Sequence, residues 1–307
     1  MPARITVVGS LNMDLVVRAP RMPVPGETLI GSDFRVIPGG KGANQAVAAA
    51  RLGAQVTMIG RVGNDDFGRA QQRNLAQEGI DVTHVSVDPE EATGIALITL
   101  DATGQNSIIL APGANMHLTV AHVEATRQAI ASADILICQL ESPLEAVTRA
   151  IELAHANGAR VILNPAPARP LDTALLRLVD YLIPNESEAT LLTGIQVTDL
   201  SSAQKAAINL RERGVGTVLL TLGERGALLA NDGGITHQAG YAVKVVDTTA
   251  AGDAFVGGFA VALAEGRPLS DAVRFANAAG ALAVTRLGAQ PSLPTRQEVE
   301  QFLAQRS

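Results

Sequence analysis

Apolar and polar positions follow one rule in the second half of the chain and another in the first. From Asp134 onward, apolar runs at ILICQ, VILN, YLI and TVLLT are each followed by a helix-patterned segment. Continuous rather than alternating apolar runs, regularly spaced by helices, predict a mainly parallel sheet covered on both faces. After Leu140 the spacing places Ser142 as a helix cap, with Pro143 in the first turn and Glu145 completing a capping box. The first half is mixed. Ile5 to Gly9 reads as a short buried strand, a passage rich in Pro and Gly follows through Pro20, Pro23, Pro25 and Gly26, and strand-like residues return at Thr28 to Ile30. Asn44 to Leu52 and Gly68 to Glu78 read as helices, with the strand Gln55 to Gly60 between them. Val82 to Val87, Thr93 to Leu100 and Ser107 to Leu110 carry β-branched residues bounded by Asp, Gly and Asn, and read as antiparallel hairpins. The expectation is one α/β domain over residues 1–307 with a small β appendage.

Composition narrows the classes. The chain has 307 residues, 47% hydrophobic and 18% charged, enough for a large core and unlike a disordered chain. Aromatics are only 3%, with no Trp, so the core rests on Ala, Val, Leu and Ile, and surfaces that read bases by stacking are disfavoured. A formal net charge of -6 has the wrong sign for a protein whose whole surface attracts nucleic acid, so any phosphate must be held locally. The single cysteine, Cys138, excludes an internal disulfide framework. The first residues offer too short an apolar stretch for a secretory signal, and no run of about 18 apolar residues occurs. These features point to a cytoplasmic protein that engages neither membrane nor nucleic acid.

In open α/β sheets ligands collect at the carboxyl ends of the strands. Asn12 and Asp14 follow the first strand, Glu141 follows ILICQL, Asn164 ends VILN, Asn185 and Glu188 follow YLIP, and TLGERG follows TVLL. Each is also an ordinary loop or cap residue, so the joint placement carries the information. PGGKGANQAVAAA, from Pro38 to Ala50, is a glycine turn entering a helix of small residues, where free amides and the helix dipole favour oxygen-rich ligands. It is not a Walker A loop, because Lys41 is followed by Gly42 rather than Ser or Thr. Lys41 and Asn44 could donate to sugar hydroxyls and Asp14 could accept from two adjacent ones; a plain turn with a solvated lysine is the alternative.

DTTAAGDAFVGGFAVALAEG, from Asp247 to Gly266, is the most unusual segment. Beyond Asp253 the helix pattern is apolar nearly all round, which predicts burial. Asp253 is then either an N-terminal cap or a base that accepts a proton from an attacking hydroxyl, while Ala250, Ala251 and Gly252 expose their amides to a transferring phosphoryl group. Gly257 and Gly258 inside the helix predict close approach of another backbone. The five histidines show no metal-binding spacing, and no nucleophile elbow is present.

Taken together, GSLNMD, GGKGANQAVAAA, NPAP, PNESE, TLGERG, DTTAAGD and VTRLGAQPS resemble the ribokinase family of carbohydrate kinases, in the family's order and over nearly the whole chain. The resemblance implies a three-layer α/β sandwich with a mainly parallel central sheet and a small β-sheet lid, here from segments about 12–38 and 93–112, that also forms a homodimer contact. It implies ATP-dependent phosphorylation of D-ribose at its 5-hydroxyl. By the same likeness Asn12, Asp14, Gly40, Lys41, Asn44 and Glu141 bind the sugar, Asp253 is the general base, and the amides of Ala250, Ala251 and Gly252 form an anion hole. Asn185, Thr221, Leu222, Gly223, Glu224, Arg225, Gly226, Gly252 and Asn277 contact ATP. Glu188 helps place Mg2+ through water, and Asp247, Thr249, Ala283, Arg286, Gly288 and Ser292 surround a monovalent cation, normally K+. The family's DTxGAGD pattern has Gly where this chain has Ala250, a replacement expected to sit at negative φ. Deoxyribose, fructose and nucleosides are alternative acceptors; the N-x-D pair at Asn12 and Asp14 favours a pentose with both 2- and 3-hydroxyls. A non-catalytic sugar-binding protein is the alternative from another class, and retention of Asp253 and Gly252 argues against it.

Overall fold

The computed structural model describes residues 2–101 and 106–306; positions 102–105 of the 93–112 segment lie outside the described residues. In chain order the strands are β1 (Arg4–Val8), β2 (Asn12–Arg18), β3 (Ser32–Gly39), β4 (Gln55–Gly63), β5 (Asp81–Asp88), β6 (Gly94–Leu100), β7 (Asn106–Ala111), β8 (Ile135–Cys138), β9 (Arg160–Leu163), β10 (Tyr181–Leu182), β11 (Thr217–Thr221), β12 (Ala227–Asn231) and β13 (Gly234–Gln238). The helices are α1 (Lys41–Arg51), α2 (Asp66–Gln77), α3 (Val120–Ala125), α4 (Arg127–Ala131), α5 (Leu144–Ala156), α6 (Thr173–Leu176), α7 (Glu186–Thr193), α8 (Leu200–Glu212), α9 (Ala251–Ala264), α10 (Leu269–Ala283) and α11 (Arg296–Ala304).

A nine-stranded sheet runs β13-β12-β11-β10-β9-β8-β1-β4-β5, parallel except where β12 and β13 close one edge antiparallel. Its strands are buried on both faces. Ile135 and Ile137 of β8 enter a core with α1, α9 and α10, while Leu136 and Cys138 enter the opposite core with α5 and α8. That is why these strands read as unbroken apolar runs in the sequence. From β1 the chain builds outward to β4 and β5 on one side and returns through β8, β9, β10 and β11 on the other. Strand order therefore reverses between β1 and β8, and a crevice opens there beyond their carboxyl ends.

A second sheet of four strands, β3-β2-β6-β7, stands above that crevice. β2 leaves β1 after a short turn, pairs antiparallel with β3 and parallel with β6, and β6 pairs antiparallel with β7. The alternation of strand faces sets Asp14, Ile37 and Ala96 on one side and Leu15, Val36 and Leu97 on the other.

Three expectations change. The stretch Val82 to Val87 is not a hairpin arm: as β5 it pairs parallel with β4 at the edge of the large sheet. Its alternating burial is that of an edge strand, which looks like a hairpin arm in sequence. The strand expected at Thr28 to Ile30 begins instead at Ser32, because its partner β2 fixes the register from Asn12 to Gly39. Ser142 does not cap α5; Pro143 occupies the cap position, and the Ser142 hydroxyl is buried without a hydrogen-bond partner.

Helix α9 is buried from Asp253 to Leu263, as its pattern predicts. A Cβ on Gly257 would lie 2.6 Å from the Cβ of Ala48 in α1, and one on Gly258 would lie 3.2 Å from that of Ala279 in α10. The two glycines therefore let α1 and α10 approach α9 closely enough to fix its N-terminus against the crevice.

Candidate active site

The first turn of α9 lies between two cavities. The larger, about 990 Å³, is walled by Asn185, Thr221, Gly223, Glu224, Gly226 and Asn277 on one side and by Ala251, Gly252, Val284 and Tyr241 on others. The smaller, about 190 Å³, contains Lys41, Asn164, Glu188, Ala250 and Asp253, and shares Asn185, Thr221, Thr248, Ala251 and Gly252 with the larger. A Cβ added to Gly252 would meet no atom within 4 Å, so its backbone faces open space. Helix geometry leaves the amides of a first turn without intrahelical acceptors.

Ala250 precedes α9 with φ 59 and ψ 11, in the left-handed region. The expectation of negative φ is therefore overturned: this alanine takes the conformation that glycine takes without strain, at roughly 1 kcal/mol. The turn is needed to aim the helix N-terminus at the cavities. The Ala251 amide makes a long contact, 3.3 Å, to the Thr248 carbonyl, and the Ala250 carbonyl accepts from Ala254 N at 2.8 Å. Asp253 is not a cap; it sits in the first turn of the helix with its carboxylate buried. Its Oδ2 accepts from Asn44 Nδ2 and its Oδ1 from Gln45 Nε2, both at 2.9 Å. The Asn44 Oδ1 atom is buried with no partner in the protein, an acceptor left for a ligand hydroxyl.

Beyond β1 and β8, Glu141 is a hub. Its Oε2 accepts from Ser10 Oγ at 2.5 Å, from the Lys41 amide at 3.2 Å and from Asn12 Nδ2 at 3.4 Å. Asn12 is fixed from behind by Asn115, whose Nδ2 donates to Asn12 Oδ1 at 2.7 Å and whose Oδ1 accepts from Leu11 N at 2.8 Å. Gly40, at φ 90, must be glycine, since a Cβ there would lie 2.6 Å from Asn12 N. Asp14 packs against Gly39, where a Cβ would meet its carboxylate at 2.4 Å. Burial first, then the charges of Glu141 and Asp253, push the Asp14 carboxyl up to about 7. Burial works against the Lys41 ammonium, yet Asp253, Glu141 and Glu188 outweigh it and hold its pKa above the ordinary lysine value.

Glu188 is engaged in a capping box at the start of α7. It accepts from Asn185 N at 2.8 Å and from Asn185 Nδ2 at 2.9 Å, and Asn185 Oδ1 accepts from Glu188 N at 2.8 Å. Burial raises the Glu188 carboxyl above its usual range, partly offset by the Asn185 amide and Lys41. Of the residues expected to contact ATP, Leu222 and Arg225 do not line the larger cavity. Leu222 is buried in the core, and Arg225 pairs with Glu186 and donates to the Thr198 carbonyl. Asn277 reaches Gln238 O at 3.4 Å and Ala239 O at 3.5 Å.

Of the six residues expected around a monovalent cation, Asp247, Thr249 and Gly288 are tied together by hydrogen bonds just before the Ala250 turn. Asp247 Oδ1 accepts from Thr249 N at 2.9 Å and from Thr249 Oγ1 at 2.6 Å, and its Oδ2 accepts from Gly288 N at 2.8 Å. The Arg286 guanidinium is drawn away to Glu298, the Ala283 carbonyl accepts from Arg286 N at 3.2 Å, and the buried Ser292 hydroxyl donates to Ala289 O at 2.8 Å. Ser10, Gln45, Asn115 and Thr248 belong to the site and were not singled out from sequence. The only signal for Gln45 was its place beside Asn44 in GANQ, and Asn115 is a hundred residues away in sequence from the asparagine it holds.

Comparison with known proteins gives a consistent result. Residues 2–296 match the pfkB family carbohydrate kinase profile. A protein named Ribokinase from Haemophilus influenzae is 48% identical over 303 residues, covering 99% of each chain. One named Deoxyribokinase from Salmonella typhi is 38% identical over 301 residues, covering 98% of each. The solved structure of Arabidopsis thaliana ribokinase complexed with ribose and ATP superposes with a TM-score of 0.93 at 35% identity, covering 99% of both chains. With the family pattern spanning both cavities and the whole sheet, this chain belongs to the pfkB family of carbohydrate kinases.

Proposed function

We propose that this protein transfers the γ-phosphoryl group of ATP to the 5-hydroxyl of D-ribose, giving ribose 5-phosphate and ADP. The observation that carries the reading is the buried Asp253 carboxylate in the smaller cavity, beside an open helix N-terminus, Ala251 and Gly252, that both cavities share. The sugar lies at the crevice between β1 and β8, where Asn12, Asp14, Gly40, Lys41, Asn44 and Glu141 offer acceptors and donors to its hydroxyls. ATP occupies the larger cavity with its phosphates directed at Ala250, Ala251 and Gly252. Asp253 accepts the proton as the hydroxyl oxygen bonds to phosphorus and ADP leaves. Phosphoryl transfer asks for positioning and charge stabilisation rather than covalent help from the protein, and helix amides with Lys41 supply both. Ribose is favoured over deoxyribose by the higher identity to the ribokinase relative and by Asn12, whose amide is held rigidly toward the site by Asn115.

Glu188 fits a Mg2+ ion through water: each of its oxygens accepts one hydrogen bond from Asn185 and keeps a lone pair that a metal-bound water would meet. Bound Mg2+ neutralises phosphate charge. The Asp247 carboxylate, the Ser292 hydroxyl and the carbonyls of Thr249, Ala283, Arg286 and Gly288 are all oxygen donors, the set a hard cation such as K+ takes, and they would brace the loop that carries Ala250. The small sheet acts as a lid on the sugar. Its outer face carries a cross-strand row of Val36, Leu15, Leu97 and Ile109, three of them exposed by 44% or more, which a second copy of the chain covers in a homodimer.

The test is ADP release with Mg2+ and either K+ or Na+, comparing D-ribose, 2-deoxyribose, fructose and adenosine. A strong preference for ribose that rises with K+ supports the sugar and cation assignments together. Turnover on another acceptor, or on none, overturns the substrate assignment.

A further inference from the structure

Asp253 is held by a buried side-chain chain that no expectation about the sugar or ATP sites requires. Gln45 is fully buried, and its Nε2 uses both protons: one to Asp253 Oδ1 at 2.9 Å, the other to Asn164 Oδ1 at 3.1 Å. Its Oε1 accepts from Gln139 Nε2 at 2.6 Å. The direction of this chain is forced by chemistry. Asn164 Nδ2 donates to the Ile183 carbonyl at 2.9 Å, so Asn164 must show its oxygen to Gln45. Gln45 faces that oxygen and a carboxylate, both acceptors, so it must show them its nitrogen. Its oxygen then faces Gln139, which must donate. A reversed Gln45 amide would set oxygen against two acceptors and nitrogen against a donor.

Gln139 is fully buried, and its Oε1 has no partner. That oxygen fits only because residue 9 is glycine: a Cβ there would lie 2.0 Å from it. A position chosen for packing alone would hold Leu or Met and leave no orphaned oxygen. The polar group is explained by what it does to Gln45.

We propose that Gln45, oriented by Gln139 and Asn164, is a positioning residue that fixes the Asp253 carboxylate for proton transfer. The inference rests on the reading of Asp253 as the base. Asn44 holds one carboxylate oxygen from the sugar side and Gln45 holds the other from behind, so the carboxylate cannot rotate while the lone pair toward the substrate stays free. Gln45 and Gln139 are fully buried, and Gln45 bonds the carboxylate itself, so their loss falls on the rate of the chemical step.

The experiment measures kcat and ribose KM for Gln45→Met, Gln139→Met, the double variant and Asp253→Asn, with thermal unfolding of each. The expected result for Gln45→Met is a kcat loss of about 10- to 100-fold with KM within about threefold. Gln139→Met gives a smaller kcat loss that disappears in the Gln45→Met background, because Gln139 acts only through Gln45. A folded Gln45→Met protein with kcat within about twofold of the parent, or with KM raised and kcat kept, overturns the proposal while an inactive Asp253→Asn leaves the base assignment standing. Should Gln45→Met fail to fold, an unchanged kcat in Gln139→Met overturns it. Turnover retained by Asp253→Asn removes the base assignment and the proposal with it.

Discussion

The proposed sugar site around Asp253 and the proposed nucleotide cavity beyond Gly252 are built differently. On the sugar side, recognition rests on side chains locked by other side chains: Asn115 holds Asn12, Ser10 and the Lys41 amide hold Glu141, and Asn44 and Gln45 hold Asp253. On the nucleotide side, glycine and alanine form much of the wall, with Gly223, Gly226, Gly240, Ala251, Gly252 and Gly280 among larger residues such as Tyr241 and Phe255 around a cavity of about 990 Å³. Gly226 and Gly240 allow the tightest approach, since a Cβ would fall 2.1 Å from the Gln238 carbonyl at the first and 2.4 Å from the Glu224 carbonyl at the second. A neutral sugar is distinguished by the pattern of its hydroxyls, which calls for oriented donors and acceptors. A triphosphate is recognised by charge and shape, which peptide amides provide wherever a helix begins. One half is therefore sensitive to side-chain identity, the other to backbone course.

Substitutions can break that contrast. The largest effect is expected from Glu141→Ala, which removes the one acceptor shared by Ser10, Asn12 and the Lys41 amide; ribose KM rises by roughly 100-fold while ATP KM holds, by steady-state kinetics. Next is Asp14→Asn. The folded chain disfavours the Asp14 charge, so in the parent the penalty is absent below about pH 4, grows as pH rises, and is complete above the folded value of about 7. Asp14→Asn removes it: the variant gains about 2 kcal/mol or more in denaturant unfolding at pH 8, the gain vanishes near pH 4, and ribose affinity is lost. Ala250→Gly relieves left-handed strain at the cost of a more flexible unfolded chain, for a gain of at most about 1 kcal/mol in unfolding. Asn277→Ala is the smallest. Its contacts to Gln238 and Ala239 are long, so ATP KM changes by no more than about threefold; a tenfold rise would mean that the nucleotide side also depends on side-chain identity.

The same contrast governs what sequence alone revealed. Strands β8, β9 and β11 were legible because burial on both faces leaves unbroken apolar runs, and α9 because it is apolar all round. β5 was misread, since an edge strand of the large sheet has the alternation of a lid strand. Most strand-end polar residues were found because turns and glycines mark them locally. The turn at Ala250 was recognised but its φ was not, because the need for a left-handed residue comes from the direction in which α9 must point. Gln45, Gln139 and Asn115 were missed because their meaning lies in partners 94 to 208 residues away, and a buried amide in sequence looks like any other amide.

The central claim is that Asp253 takes the proton from the sugar hydroxyl. The most direct measurement compares Asp253→Asn with the parent, following ADP release by kinetics and ribose binding by calorimetry. The account predicts turnover lower by about 100-fold or more with ribose Kd changed by no more than about tenfold, since the amide loses the base and Asn44, whose Oδ1 has no partner in the protein, can turn to accept from its nitrogen. Equal turnover, or loss of ribose binding in step with loss of rate, would contradict it.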